Sequence, residues 1–179
     1  MRFTRHRGAL RADLDEIEIS VLRQLVGELL ALVEEPEVSE DPLAALVGMP
    51  PGEVPKPDDP VLRRLLPDAY RDDPDAAGEF RRFTDADLRA SKRANAAAVL
   101  AALPMAPGRL TLDRDQADAW LGCLNDLRLA LGTALEVSEE TDPDDFEPQD
   151  PAAQALGIYG WLGWLQESLL SCLEPRLPS

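Results

Sequence analysis

Residues 120–135, "WLGCLNDLRLALGTAL", decide how the rest of the chain must pack. At about 100° per residue, apolar side chains form one stripe along this predicted helix: Ala117, Trp120, Leu124, Leu127, Leu131 and Leu135. A second row lies nearly opposite: Gly122, Asn125, Leu129 and Gly132. Because Gly costs roughly 1 kcal/mol inside a helix relative to Ala, the two glycines indicate close approach by another element. The pattern predicts a central helix packed on both sides, with Asn125 buried and hydrogen-bonded.

Asp126 and Arg128 interrupt the leucines of the same helix. They project about 160° apart, so they cannot pair with each other and must reach different neighbours or water. We predict structural brackets, with at least one of the two paired to a charged residue within 68–82. A ligand or partner site is the alternative. The predicted polar network consists of Asn125, Asp126, Arg128, Asp68, Arg81 and Arg82.

Further helices are predicted on both sides of this stretch. Asp-Pro pairs place a capping carboxylate just before a proline at the first helical position, which is typical of helix starts. Thr84, followed three residues later by Asp87, indicates another start, and Asp113 is the expected cap of the central helix. The predicted helical ranges are 15–35, 42–47, 60–66, 74–83, 84–103, 114–135 and 151–173.

Short segments with alternating apolar residues flank Arg7-Gly8, and residues 108–113 show the same alternation. The first two predict an N-terminal β-hairpin, which the third would extend to a three-stranded antiparallel sheet. The expected fold class is therefore mainly α, a single helical domain over 1–179 with a small sheet. Residues 48–59 and 136–150 are predicted loops. The second loop holds eight acidic residues and no basic one, which is typical of a solvated loop or of a docking strip for a basic partner.

The last predicted helix, 151–173, is apolar on nearly every side. Such a helix is expected to be deeply buried, or to form a homodimer interface through Trp161 or Trp164. Gly157, Gly160 and Gly163 follow one another at every third position and would permit close packing.

Composition narrows the functional classes. The net charge of −16 disfavours nucleic acid and anionic membranes and favours a basic protein partner. Basic residues of 60–95 alternate with acids, and Asp85 stands four before Arg89, the spacing of a helix ion pair. No apolar run approaches the ~20 residues of a membrane span, and the N-terminus lacks the apolar core of a signal peptide, so we expect a cytoplasmic protein.

Catalytic motifs are not visible in the sequence. The one histidine, His6, lies in a basic segment, and no zinc spacing, phosphate loop or nucleophile elbow is present. We therefore predict a protein that is not an enzyme and needs no metal or other cofactor. A hydrolase that uses two carboxylates is the enzyme class that stays open.

Three stretches carry a family resemblance: "DPVLRRLLPDAYRDDPDAAGEFRRFTDADLRASK" (59–92), "AWLGCLNDLRLALGTAL" (119–135) and "YGWLGWLQESLL" (159–170). Their order and spacing resemble an actinobacterial family of domains of unknown function that is commonly encoded beside the ClpS protease adaptor. One branch acts as an oxidative-stress transcriptional regulator. The resemblance implies oxidant sensing through a cysteine disulfide, and engagement of an alternative sigma factor to raise expression of a cysteine-biosynthesis operon. An adaptor role in ClpS-dependent proteolysis is the alternative.

Cys123 and Cys172 are the candidates for that redox role. Both fall inside predicted helices with apolar stripes. Apolar burial disfavours the reactive thiolate, and free cysteine is among the residues most often buried. Two interpretations stay open, a redox pair and two inert core residues.

Overall fold

A computed structural model of the chain describes residues 1–6, 8–34, 54–70, 72–142, 146–147 and 149–174. The predicted helix over 42–47 and the first part of the predicted loop over 48–59 lie outside these residues. Within them, residues 54–59 and the described part of 136–150 hold no helix or strand, as the sequence predicts. No helix of the described ranges combines the length and the apolar composition needed to cross a membrane.

The N-terminal sheet has three antiparallel strands in the order β1 (Thr4–His6), β2 (Ala9–Leu14) and β3 (Gly108–Leu112). Gly8, between β1 and β2, has φ +89, a left-handed value that side chains other than hydrogen rarely allow. In β2 and β3 the leucines alternate with polar residues and are buried on one face, with Leu10 opposite Leu112. Of the two predicted forms, the hairpin and the three-stranded antiparallel sheet, the three-stranded sheet is therefore confirmed.

Five helices occupy the described part of the chain, and each starts at an aspartate that accepts from a backbone N–H of the first turn. Three of these caps, Asp59, Asp73 and Asp150, precede a proline, and Asp113 forms a capping box with Gln116. The cap prediction is confirmed at these positions. The helices are α1 (Glu16–Leu32), α2 (Pro60–Leu65), α3 (Pro74–Ala102), α4 (Arg114–Ala134) and α5 (Pro151–Leu173).

Helix α3 corrects one prediction, because it runs without a break through the start expected at Thr84. The Thr84 hydroxyl donates to the carbonyl of Phe80 one turn earlier, at 3.0 Å, and so does not cap a new helix. Neither Gly nor Pro lies between Phe80 and Leu100 to end the hydrogen-bond ladder. The two predicted segments are therefore one helix of 29 residues.

Helix α4 is the central element, as predicted. It packs against α1, α2, α3, α5 and the sheet, and its Trp120 is fully buried. The Trp120 ring meets Phe3 edge-on at a centroid distance of 5.8 Å, which joins the N-terminal segment to the helical core.

The burial predicted for Asn125 is wrong: the residue is exposed. Helix α3 contacts α4 at Gly122, where an added Cβ would lie 2.6 Å from the amide nitrogen of Asn95. Helix α5 contacts it at Gly132, where a Cβ would lie 3.0 Å from Tyr159 Cε2. The two neighbours lie on either side of the glycine row, and Asn125 points out between them. The prediction that other elements approach closely at the two glycines is thus confirmed. Neither neighbouring helix covers Asn125.

Helix α5 is less deeply buried than its composition predicts. Three of its four buried side chains, Leu162, Leu165 and Leu169, share one face and Leu156 lies apart from them, whereas Trp164 and Leu170 are more than 40% exposed. An apolar side chain on this helix therefore does not by itself indicate core. The prediction of deep burial holds for one face only.

Candidate functional site

Charged side chains line one side of α3 at spacings of three or four residues: Arg81, Asp85, Arg89 and Lys92. At 3.6 residues per turn these positions share a face of the helix. They reach three separate parts of the molecule, namely the segment before α3, the end of α1, and α4. We call this set the α3 charge ladder.

The last step of the ladder joins α3 to α4. Lys92 Nζ lies 2.7 Å from Asp126 Oδ1, and only 12% and 6% of the two side chains are exposed. The prediction that Asp126 or Arg128 pairs with a charged residue within 68–82 is therefore wrong, because Arg128 also finds its partner elsewhere, on α5. Helices α3 and α4 run antiparallel at this contact. Arg81 lies about 16 Å before Lys92 along α3 and is therefore level with the end of α4, far from Asp126.

The middle step joins α3 to α1. Arg89 donates from Nε to Asp85 Oδ2 at 2.7 Å and from Nη1 to the carbonyl of Glu34 at 3.0 Å. Glu34 follows the last turn of α1, where carbonyl groups lack helical partners. The spacing of Asp85 and Arg89 predicts their ion pair, but nothing in the spacing shows that both residues are buried.

The first step holds the segment before α3. The carboxylate of Asp68 accepts from Lys56 Nζ at 2.7 Å and from Arg81 Nη2 at 2.5 Å, while Arg81 Nη1 donates to the carbonyl of Val54. Hydrogen bonds from Lys56 and then Arg81 lower the pKa of Asp68 from its ordinary value. The structure thus brings together Asp68 and Arg81 of the predicted network. Arg82 lies apart from this pair, with its guanidinium carbon 5.9 Å from the centroid of the Phe83 ring.

Arg128 serves the opposite side of α4. Its Nη1 donates to Gln166 Oε1 at 2.9 Å, and its guanidinium carbon lies 5.2 Å from the centroid of the Tyr159 ring. A Cβ at Gly163 would come within 3.3 Å of the Arg128 Nε, so a glycine leaves room for the arginine. Gly157 and Gly160 have nothing within 4 Å of an added Cβ, so the close packing expected of all three glycines occurs at Gly163 alone.

The ladder and Arg128 together explain why α4 carries both charges. Asp126 anchors α4 to α3, and Arg128 anchors it to α5. Lys92 and Gln166 are the partners that the sequence did not reveal, although Lys92 shares a helical face with Arg89. These contacts hold α1, α3 and α5 in place around α4.

The two cysteines are free and lie in different environments. Cys123 is buried in the core, where desolvation, with a smaller effect of the Asp126 charge, raises the pKa of its thiol from 9.0 to about 12. Cys172 is half-buried near the end of α5, beside a hollow of about 320 Å³ lined also by Arg2, Trp164 and Glu167. Of the two, Cys172 is the thiol that solvent reaches more readily.

The structure does not bring Cys123 and Cys172 together. Arg128 and Gly132 face α5, and Cys123 lies about 140° and 180° round α4 from them, on the side turned away from α5. With packed helix axes about 8–10 Å apart and Cα atoms about 2.3 Å from each axis, its Cα therefore lies about 8 Å or more from any Cα of α5. A disulfide requires a Cα separation within about 7 Å. An internal bond thus requires the helices to rearrange.

The remaining predicted residues lie at the surface of α5. Trp161 borders a hollow between α5 and the start of α1, and Trp164 is 44% exposed beside the hollow of Cys172. The homodimer interface suggested for them stays a prediction. Among the described residues no group of three or more His, Cys, Asp or Glu side chains could hold a metal ion.

Comparison with known proteins gives both a family and relatives. Residues 1–173 match the model of a domain of unknown function (DUF2017). A Mycobacterium leprae relative is 37% identical over 171 residues, which are 87% of this chain and 78% of the relative. Proteins of Mycobacterium bovis and of Mycobacterium tuberculosis strain H37Rv, both named oxidative stress regulator AosR, are each 35% identical over an alignment of 185 residues. That alignment spans 95% of this chain and 84% of each relative. No solved structure matches the chain.

Proposed function

This chain belongs to the DUF2017 family, and on that premise we propose that it is an oxidative-stress regulator that acts by binding another protein. The observation that carries the proposal is 35% identity, along 95% of the chain, to proteins named oxidative stress regulators. We propose that it works in the cytoplasm and is not an enzyme. The contacts of the buried charges support this last point, because Arg89 joins α3 to the end of α1 and Lys92 joins α3 to α4.

For the partner we propose a sigma factor, as the family resemblance implies. The net charge of −16 supports a partner with a basic surface, and proteins that bind promoter DNA carry such surfaces. The same charge disfavours direct binding of this chain to DNA. The regulator would then change transcription through the sigma factor, without reading the promoter itself.

Oxidation, in this proposal, acts first on Cys172. Its partial exposure allows access to peroxide, whereas the Cys123 thiol is buried and remains protonated at neutral pH. Peroxide takes two electrons from two thiols, which join as a disulfide while peroxide and the two released protons become two water molecules. Because Cys123 faces away from α5, the second thiol comes from another molecule or follows a rearrangement of the helices.

A binding assay tests these statements. Purified protein, reduced or peroxide-treated, is measured against a panel of sigma factors from an actinobacterial host, against ClpS and against promoter DNA. The proposal predicts that the protein binds one sigma factor, with an affinity that changes on oxidation. In Cys172→Ser that affinity should no longer depend on oxidation. No binding to promoter DNA is expected. Binding to ClpS alone would favour the proteolytic adaptor that the resemblance implies as the alternative. Binding to none of the proteins would refute a role through either partner.

A further inference from the structure

One flank of α1 is apolar, half-exposed and bordered by other helices along its whole length. Near the helix start, Ile17 and Val21 face Ile158 and Trp161 of α5 across a hollow of about 300 Å³. Near its end, Leu25 and Leu32 face α2 and the last turns of α4 across a second hollow of about 270 Å³. We call the two hollows together the α1 groove.

The positions on α1 form one continuous stripe. Ile17, Val21, Leu25, Glu28 and Leu32 lie within an arc of about 80° and extend over about 22 Å of helix. That length corresponds to about four turns of a second helix laid alongside. The groove therefore has the dimensions of a docking site for one helix of roughly 15 residues.

The groove exposes apolar side chains that the fold does not need there. Ile17, on the first turn of α1, is 74% exposed. Val21 and Leu25 are only half-buried, and α5 contributes Trp161, a residue type that often anchors protein interfaces. A connected apolar surface with helical borders is typical of a groove that accepts the apolar face of an amphipathic helix.

We propose that the α1 groove binds an amphipathic helix of the partner protein whose polar face carries Lys and Arg. This inference rests on the proposed function, in which the protein acts through a protein partner, and adds the surface and the chemistry of the contact. Glu28 lies exposed at the groove beside its apolar residues, whereas Glu18, at the other end of the groove, already pairs with the N-terminal ammonium group of Met1. Basic side chains on the bound helix would meet Glu28 and the negative field of the chain while its apolar face fills the two hollows.

Charge also selects this occupant over a second copy of the chain. Two copies would each bring a net charge of −16 to the contact, and their repulsion would oppose pairing through surfaces that already hold glutamates. A basic helix has the complementary charge. The order of preference is therefore a basic amphipathic helix, then a neutral one, then a second copy.

The first test uses a fluorescently labelled 18-residue peptide with leucines on one helical face and lysines on the other. We expect saturable binding in fluorescence anisotropy, with no binding of the matched peptide in which every lysine is glutamate. Ile17→Ser should weaken binding about tenfold or more, because a buried isoleucine side chain contributes at least that much. Met105→Ser is the matched control, since Met105 is an apolar residue that is 91% exposed and lies outside the groove.

The charge contact has its own variant pair. Glu28→Lys should weaken binding of the lysine peptide and improve binding of the glutamate peptide, whereas Glu79→Lys on α3 should change neither in this way. Both glutamates are exposed, so neither variant is expected to unfold the protein. Equal peptide affinities in wild type, Ile17→Ser and Glu28→Lys would overturn the inference.

The natural partner separates this inference from the proposed function. If a sigma factor binds wild type and binds Ile17→Ser and Glu28→Lys equally well, the groove is not the docking site, while the proposed function stands. If no sigma factor binds but the lysine peptide binds in the groove, the proposed partner fails and the groove stands. Light scattering that detects a dimer in wild type but not in Ile17→Ser would make a second copy the occupant and overturn the proposal.

Discussion

At the scale of single residues, the two charges in α4 have different surroundings, because Asp126 is buried and Arg128 is half-buried. A charge inside a protein must be paired, because the cost of removing it from water exceeds what packing recovers. Asp126 and Arg128 could not pair with each other, so each had to reach a different neighbour or water. Lys92 and Gln166 could not be chosen from the sequence, because both pairings depend on how three helices cross.

The buried pair Lys92–Asp126 makes the first prediction. Asp126→Ala should lower the free energy of unfolding by about 3–5 kcal/mol, because it leaves the Lys92 ammonium buried without a counter-charge. The double variant Lys92→Met, Asp126→Leu should recover most of that loss, since it removes both charges and keeps an apolar volume. Urea unfolding measures both changes.

An exposed pair provides the control for this measurement. Arg109 and Asp13 are 3.1 Å apart, but their side chains are 61% and 76% exposed. Arg109→Ala should therefore cost no more than about 1 kcal/mol. Equal losses at the two pairs would mean that burial does not set the strength of the Lys92–Asp126 contact.

Thiol reactivity is the second prediction at this scale. In native protein at pH 8, iodoacetamide should label Cys172 well before Cys123, because only the thiolate reacts and the pKa of Cys123 is about 12. Mass spectrometry of tryptic peptides over time measures the two rates. Faster labelling of Cys123 would contradict its burial, and Cys172→Ser should remove the fast phase.

The raised pKa of Cys123 also predicts how stability depends on pH. The folded thiol stays protonated up to about pH 12, whereas the unfolded thiol loses its proton near 9.0. The difference in free energy of unfolding between wild type and Cys123→Ala should thus be constant below pH 9. Above pH 9 it should fall by about 1.4 kcal/mol per pH unit, to the disadvantage of wild type. A difference between the two proteins that grew with pH would give the opposite sign and refute the shift.

At the scale of elements, the local signals in the sequence were sufficient for the helix starts and the sheet. Aspartate caps, prolines at the next position and alternating leucines act within a few residues, so they can be recognised without the fold. Thr84 misled because its hydroxyl has an alternative acceptor one turn back. The burial of Asn125 was predicted wrongly because a helical wheel shows which residues share a row, but not how much of that row a neighbouring helix covers.

The glycines of α4 and α5 give the prediction at this scale. Gly132→Ala should reduce stability by about 1–3 kcal/mol, because its Cβ would press on the Tyr159 ring, which lies beneath the Arg128 guanidinium. Gly160→Ala, in the same helical state but with open space around it, should instead increase stability by about 1 kcal/mol. Thermal unfolding of the two variants measures both signs. Stabilisation by both substitutions would show that the Tyr159 ring moves aside.

At the scale of the whole molecule, α4 packs against the other four helices of the described residues and against β2 and β3, and the chain carries a net charge of −16. Composition was sufficient to predict the sign of that charge, and apolar periodicity with the cap signals predicted a mainly helical fold. It could not predict the α1 groove, because a half-exposed apolar stripe and a fully buried one have the same spacing in a sequence. The groove appears only when α5, α2 and α4 take their places beside α1.

The overall charge makes the last prediction. The association rate with a basic partner should fall as salt rises from 0.05 to 0.5 M, because screening shortens the reach of the field from about 14 Å to about 4 Å. Replacing Glu136, Glu139 and Glu140 of the acidic loop by Gln should slow association at low salt. The dissociation rate should change little in that triple variant, since the loop lies outside the apolar contact proposed for α1. Stopped-flow fluorescence measures both rates, and an association rate independent of salt would mean that the −16 charge does not guide the partner.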